Sequence, residues 1–480
     1  MHNIYHSTEY VLTSILLGFL FGYDSGIITS TISFPHFKEY FSNPDDTVTG
    51  GIVSSFQGGA ILGTIIIMFS GDFLGRKRSI AFGSVVSCLG CAIQAAAANM
   101  TMLIIGRFIA GVAVGQLTSV IPLYAGELSE AKYRGLLSGL LQFMLSWGFF
   151  VAQWLGYGCS FVDGAFQWRF PLAFQCIPSV ILIGGIWFLQ ESPRWLMEKD
   201  RHEDALAALQ KLHGDGTPER AEYIQLEYQE IRDVIAAERE HNKISWFAIF
   251  RRPSWRRRLL LGCGVQAFGP LSGINVINYY GPRIYESLGI SNQTSLMIIG
   301  ISGALSIVYC AVGLLALDKV GRVKPLIVSA AFLGGALVVN AALSQYFDPS
   351  NQNLLRAMVA MNFVFSLFYT PLGIISWVYP AEIFPVDIRQ QGNAISTFTN
   401  WTINLVFAQF SPGALTDIGF RYFYVFFVFN LIAMLCYIFF YPETKGKTLE
   451  EMDELFGDTY VQDALVLKDK ETVVEVNEKV

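Results

Sequence analysis

Apolar blocks of membrane-crossing length constrain this chain most. A lipid hydrocarbon core takes about 20 mostly apolar residues to span. Such blocks run near 10–31, 50–70, 79–98, 102–125, 136–158 and 170–189. After a polar gap they resume near 258–281, 295–317, 324–345, 356–380, 391–413 and 422–441. Backbone groups in lipid must be satisfied within the segment, so the blocks read as helices. Of 480 residues, 52% are hydrophobic and 15% charged, too few charges to cover a soluble domain of that size. The net charge of −6 suggests no nucleic-acid partner. Of the seven cysteines, all but Cys159 sit in apolar blocks without metal spacing and read as small fillers, so no metal or cofactor is expected. The first block carries an acid and lacks a basic n-region, which argues against a cleavable signal.

Basic residues mark the cytoplasmic side. Arg76, Lys77 and Arg78 follow block 2, Lys132 and Arg134 follow block 4, and Lys319, Arg322 and Lys324 follow block 8. An even number of spans then puts both termini in the cytoplasm. The expected division is a first half over 1–189, a cytoplasmic helical linker over 190–257, a second half over 258–441 and a mostly disordered acidic tail over 442–480. In the linker, Leu206, Leu209 and Leu212, then Ile224, Ile231 and Ile235, recur at helical spacing.

The two halves repeat each other. Asp72-Phe73-Leu74-Gly75-Arg76 after block 2 matches Asp318-Lys319-Val320-Gly321-Arg322 after block 8. Glu127 and Arg134 match Glu382 and Arg389. Ser192-Pro193-Arg194 loosely matches Pro442-Glu443-Thr444-Lys445-Gly446. The shared offset near 250 implies a parallel repeat, an arrangement suited to alternating access around a midplane site. An acid and an arginine at helix ends can bridge neighbouring helices and part again.

These residues also carry a family resemblance. Gly71-Asp72-x-x-Gly75-Arg76-Lys77, Arg107-x-x-x-Gly111, Pro122-x-Tyr124-x-x-Glu127 with Arg134-Gly135, and Glu191-Ser192-Pro193-Arg194-Trp195-Leu196 come in order. Ser272-Gly273-Ile274-Asn275 with Tyr279-Tyr280, Asp318-x-x-Gly321-Arg322, and Pro442-Glu443-Thr444-Lys445-Gly446 complete the set. Together they resemble the sugar porter family of the major facilitator superfamily, most of all its fungal branch. The resemblance implies an all-α membrane fold of twelve spans in two six-helix halves. It also implies a charge network of Asp72, Arg76, Glu127, Arg134, Glu191, Arg194, Asp318, Arg322, Glu382 and Arg389.

Two charges lie deep in the first half. At about 1.5 Å per residue, Asp24 is roughly 21 Å from the cytoplasmic start of its block. Arg107 enters from the other side and lies about 22 Å from the cytoplasm in a 30 Å core. A charge in lipid must face a cavity or a partner, so the matched depth suggests a pair. A carboxylate beside an arginine stays ionised; separated and desolvated, it takes a proton. The resemblance implies the same proton-coupling role for Asp24.

A polyhydroxylated substrate needs amides, which donate and accept, and aromatic faces. Gln142 and Gln153 share a face of helix 5. Gln266, Asn275 and Asn278 lie on helix 7, Trp377 on helix 10, and Asn400, Trp401 and Asn404 on helix 11. By resemblance, Gln153, Asn275, Trp377 and Asn404 match sugar-contacting positions. Two features depart from the family. Gly269-Pro270 replaces the usual Gln-Gln pair, and Ile374 stands where a proline is usual while Pro371 precedes it. Both bear on which sugar, polyol or sugar-like compound is carried, and Pro270 is expected to kink helix 7.

The reading is therefore a proton-coupled sugar or polyol carrier of the plasma membrane, with lipid, proton and substrate as partners and no enzyme chemistry. An uncoupled facilitator and a nutrient sensor on the same fold are the alternatives. Asn292-Gln293-Thr294 offers a glycosylation sequon on the outer side.

Overall fold

The computed structural model describes residues 8–128, 134–214, 217–240, 248–346, 351–385, 388–447 and 449–457. Its first half holds helices α1 (Thr8–Ser33), α2 (Asp46–Leu74), α3 (Arg76–Ala95), α4 (Met100–Leu128), α5 (Arg134–Cys159) and α6, in two stretches, Phe166–Phe174 and Cys176–Gly185. The second half holds α7, split into Pro253–Leu271 and Ile274–Glu286, then α8 (Asn292–Val320), α9 (Val323–Gln345), α10 (Gln352–Ile383), α11 (Arg389–Ile418) and α12 (Phe423–Phe439). Nine stretches among the described residues are long and apolar enough to cross a membrane, and one of them, Gln391–Phe439, contains both α11 and α12. Helices α1 and α5, each of 26 residues, take the remaining two of the twelve places expected.

Small residues set how closely the helices approach, because lipid tails supply no hydrophobic push between them. A Cβ on Gly59 or Gly63 of α2 would lie 2.0 Å from the Phe108 or Val112 carbonyl oxygen of α4. One on Gly111 or Gly115 of α4 would lie 2.0 Å from the Phe56 or Ala60 carbonyl oxygen of α2. Gly22 of α1 and Gly148 of α5 make the same exchange. Between the halves, α2 packs along α11 and α5 along α8.

The linker folds into helices Pro193–Glu198, His202–His213 and Pro218–Glu240. Leu209, Ile224 and Ile235 are buried with Trp195, Leu196 and Met197 in a core of their own, so the helical spacing in the sequence marks helix-to-helix packing. The tail opens with a short helix, Leu449–Phe456. Its Phe456 ring lies under the Arg258 guanidinium at 4.6 Å, and Arg258 donates to the Met452 carbonyl at 3.4 Å. The expected disorder of the tail concerns residues after 457, outside the described ones.

One end of the bundle carries the charged turns and is called the basic end below. There the repeat becomes structural. The turn before α3 passes through Gly75 (φ +80°), and the turn before α9 through Gly321 (φ +92°). Each presents the first N–H groups of a helix to a carboxylate arriving from the end of its half. Glu191 Oε1 accepts from Arg76 N at 3.0 Å and Lys77 N at 3.2 Å. Glu443 accepts from Arg322 N at 2.8 Å and Val323 N at 3.0 Å. A side chain at Gly75 would meet Glu191 Oε2 at 2.9 Å, and one at Gly321 would meet Glu443 Oε2 at 2.7 Å. The loose sequence match around Ser192-Pro193-Arg194 is thus anchored one residue earlier, on the glutamate.

The arginines of the same turns bridge to α4 and α10. Arg76 pairs with Glu127 at 2.7 Å and Arg322 with Glu382 at 2.7 Å. Thr444 adds a bond to Glu382 at 2.6 Å. Arg194 pairs with Glu198, and Arg389 donates to the Phe384 carbonyl. The side chains of Asp72, Arg134 and Asp318 lie outside the described residues.

Candidate functional site

Among the described residues, hydrogen bonds and ion pairs between the halves fall midway along the bundle or toward the end opposite the charged turns. At that far end Arg283 of α7 pairs with Asp46 of α2 at 2.7 Å, and Thr416 of α11 bonds both. Ser54 of α2 donates to Gln409 of α11 at 2.6 Å, and Gln409 donates to the Thr47 carbonyl. Asn292 donates to the Ser33 carbonyl at 3.4 Å. The sequon asparagine is therefore half-buried and engaged across the halves in this conformation.

Below this closure, polar groups collect in the membrane interior. Asp24 of α1 is fully buried, and neither carboxylate oxygen has a hydrogen-bond partner. Arg107 of α4 is equally buried. It donates Nε to the Ile52 carbonyl at 3.4 Å and lies 4.7 Å over the Phe56 ring, while Nη1 has no partner. The two charges are near enough to interact electrostatically, yet no direct bond joins them here.

Tyr279 of α7 receives both halves. Gln57 of α2 donates to its hydroxyl at 3.2 Å and Asn404 of α11 at 3.3 Å. The Gln57 and Asn404 amide oxygens are buried without partners, as is Trp401 Nε1. Trp401 is wedged against Phe21 and Phe56 of the first half. Unsatisfied buried polar atoms are rare in folded proteins, and here several gather where the halves meet. The set can offer donors, acceptors and a charge to a polar ligand.

The other candidate amides divide into engaged and available groups. Gln153 donates to the Gly26 carbonyl at 2.9 Å and accepts from Ser30, tying α5 to α1. Gln266 and Asn400 bond each other at 2.8 Å. Gln142 is buried against Gly373 of α10. Asn275 is half-buried, and Asn278 lines a cavity with Phe149, Tyr285, Ser302, Asn362 and Ser366. Trp377 is half-buried and packs on the first half's apolar core.

Gln57 does not stand out in the sequence, and Tyr279 does so only within the Tyr279-Tyr280 motif. The chain Asn340–Asn362–Tyr285, with bonds of 3.0 and 2.9 Å, lies beside the cavity and is likewise visible only in the fold. A polar residue in an apolar block was the available signal for all of them. Tyr379 of α10 donates to the Pro442 carbonyl at 3.1 Å.

An all-helical membrane protein with repeated halves and a buried polar junction between them is a carrier of the major facilitator class. The family described as sugar (and other) transporter matches residues 10–456, and this chain belongs to it. It is 38% identical over 445 residues to the MFS-type transporter criB of Aspergillus cristatus, covering 92% of this chain and 91% of that one. It is 33% identical over 481 residues to a high-affinity glucose transporter of Kluyveromyces lactis, covering 95% and 87%. The structure matches the proton:xylose symporter XylE of E. coli, bound to 6-bromo-6-deoxy-D-glucose, with a TM-score of 0.80 at 24% identity, over 95% of this chain and 100% of that one. That likeness establishes the fold. The protein is a transporter and not an enzyme.

Proposed function

We propose that this protein carries a sugar or sugar-like polyol across the plasma membrane by alternating access, as a proton symporter, with the basic end and both termini in the cytoplasm. The observation that carries the reading is Asp24, fully buried with both carboxylate oxygens unpartnered. An isolated carboxylate in the membrane interior is costly as an anion, so it holds a proton or meets a cation. Arg107 is the cation at hand. When the halves reorganise around substrate, Asp24 passes between proton and arginine, which couples the two fluxes. The K. lactis relative is named as a glucose transporter and the E. coli fold neighbour as a proton:xylose symporter, which supports substrate class and coupling.

With the far end closed, Gln142, Asn275, Asn278 and Trp377 are the candidate groups left to read the substrate, with Trp401 and Asn404 at the junction. Gly269-Pro270 removes two amides the family usually offers, which favours a substrate with fewer hydroxyls than a hexose, or one with an apolar face. The test is uptake of a radiolabelled panel of hexoses, pentoses and polyols by a transport-null host, with and without a proton uncoupler. Concentrative uptake of one panel member that the uncoupler abolishes supports the proposal. Uptake unaffected by the uncoupler contradicts the symport, and no uptake of any member contradicts the substrate class.

A further inference from the structure

A proline inside a helix leaves the carbonyl four residues earlier without its helical donor. Four such carbonyls in the second half are each met by a side chain from another helix. Pro282 leaves the Asn278 carbonyl, which accepts from Thr29 at 2.7 Å. Pro412 leaves the Ala408 carbonyl, which accepts from Tyr280 at 2.6 Å. Pro380 leaves the Ser376 carbonyl, which accepts from Gln266 Nε2 at 2.9 Å. Pro270 leaves the Gln266 carbonyl, which accepts from Asn400 Nδ2 at 3.0 Å.

The last two form one relay. Asn400 Nδ2 also donates to Gln266 Oε1 at 2.8 Å, so both of its protons go to Gln266. Gln266 in turn spends its amide on α10. One chain of amides thus ties α11 to α7 and α7 to α10, at the two prolines that interrupt those helices. Three further carbonyls around the α7 break are also satisfied. Gly269 O accepts from Ser272 Oγ, Pro270 O from Gly273 N and Ser272 O from Asn430.

We infer that Asn400 and Gln266 are positioning residues, which hold α7 and α10 at their proline interruptions, and that they do not contact the substrate. Pro270 is what makes Asn400 necessary, and the two form a functional pair. The uptake arm of the test rests on the sugar-transport reading; the melting arm does not.

The experiment compares wild type, N400A, P270A and N400A/P270A. The readouts are the melting temperature of each purified, detergent-solubilised protein, and Vmax and KM for the best-carried panel sugar, normalised to surface protein. N400A removes two hydrogen bonds to Gln266 and leaves its carbonyl bare, so it should melt lower and lose about three- to tenfold in Vmax with KM unchanged, in the range of two interhelical hydrogen bonds in a membrane. Alanine at 270 restores a backbone N–H to that carbonyl. The double variant should therefore recover at least half of both losses, the rest reflecting Gln266 Oε1 without its donor. If N400A fails to fold, recovery of folded protein in the double variant is the same rescue. A raised KM without rescue, or an N400A indistinguishable from wild type, overturns the inference.

Discussion

Replacing Glu443 with glutamine should cost more than replacing Glu191, although the two carboxylates occupy equivalent places in the repeat. The difference lies in which oxygens are used. Glu191 takes Arg76 N, Lys77 N and Ser192 N all on Oε1. A glutamine there keeps every contact through its carbonyl oxygen and loses only the charge at a helix N-terminus, worth about 0.3–1 kcal/mol. Glu443 takes Arg322 N, Thr444 N and Lys445 N on Oε1 and Val323 N on Oε2. A glutamine there must turn an NH2 toward one of these donors, leaving a backbone N–H unsatisfied for a further ~1–3 kcal/mol. The expected losses are about 1–4 kcal/mol for E443Q and under about 1 kcal/mol for E191Q.

Thermal unfolding of the purified variants measures this, at roughly 1–2 °C per kcal/mol for a chain of this length. The pH dependence gives a second check. Burial opposes ionisation of Glu443, but the backbone N–H groups of Arg322, Val323, Lys445 and Thr444 outweigh it and hold the carboxyl below its ordinary 4.5. A group depressed on folding stabilises above its unfolded pKa and loses that contribution as pH falls through the folded one. The gap between wild type and E443Q should be flat from about pH 8 to pH 5 and close only below the ordinary value. Equal losses for the two variants, or a larger one for E191Q, would refute the oxygen-by-oxygen reasoning.

Three further outcomes follow from the packing and the junction. Arg283→Ala removes a third-exposed ion pair worth under about 1 kcal/mol, so a cysteine placed at Ser54 should react with a polar thiol reagent roughly two- to fivefold faster; an unchanged rate would show that the far-end pair does not hold the halves. Gly115→Ala puts a Cβ 2.0 Å from the Ala60 carbonyl and should sharply reduce folded, monodisperse protein, whereas Gly51→Ala meets nothing within 4 Å and should not. Tyr279→Phe deprives both Gln57 and Asn404 of their acceptor and should lower uptake about three- to tenfold at unchanged surface level, read from normalised transport.

The scaffold was largely legible because its signals are local and repeated. Blocks of apolar residues, Gly75 and Gly321 at the turns, and the acid–arginine spacing each report on a few neighbouring residues. Asp24 and Arg107 were legible because charge inside an apolar block is rare, and simple depth arithmetic put them at one level. The side-chain wiring was less legible. Gln266 and Asn400 read as substrate amides by type and depth, but their partners depend on the carbonyls that Pro270 and Pro380 free on two different helices. Nothing local links Asn400 to Gln266, 134 residues away. Gln57 was overlooked for a related reason: its meaning comes from Tyr279 in the other half, a contact only the assembled bundle makes. Pro270 itself was seen, and the break in α7 falls two residues later, at Ser272-Gly273, where Gly273 adopts φ +94°.

Proton uptake by cells expressing the Asp24→Asn variant tests the central claim most directly. External alkalinisation is followed after addition of the substrate that the wild type concentrates, with surface protein matched and substrate binding measured in parallel. The account predicts that D24N still binds substrate but produces no substrate-induced proton uptake and no accumulation against a gradient. Uptake of protons at the wild-type ratio to substrate would contradict it and return Asp24 to a purely structural place in the bundle.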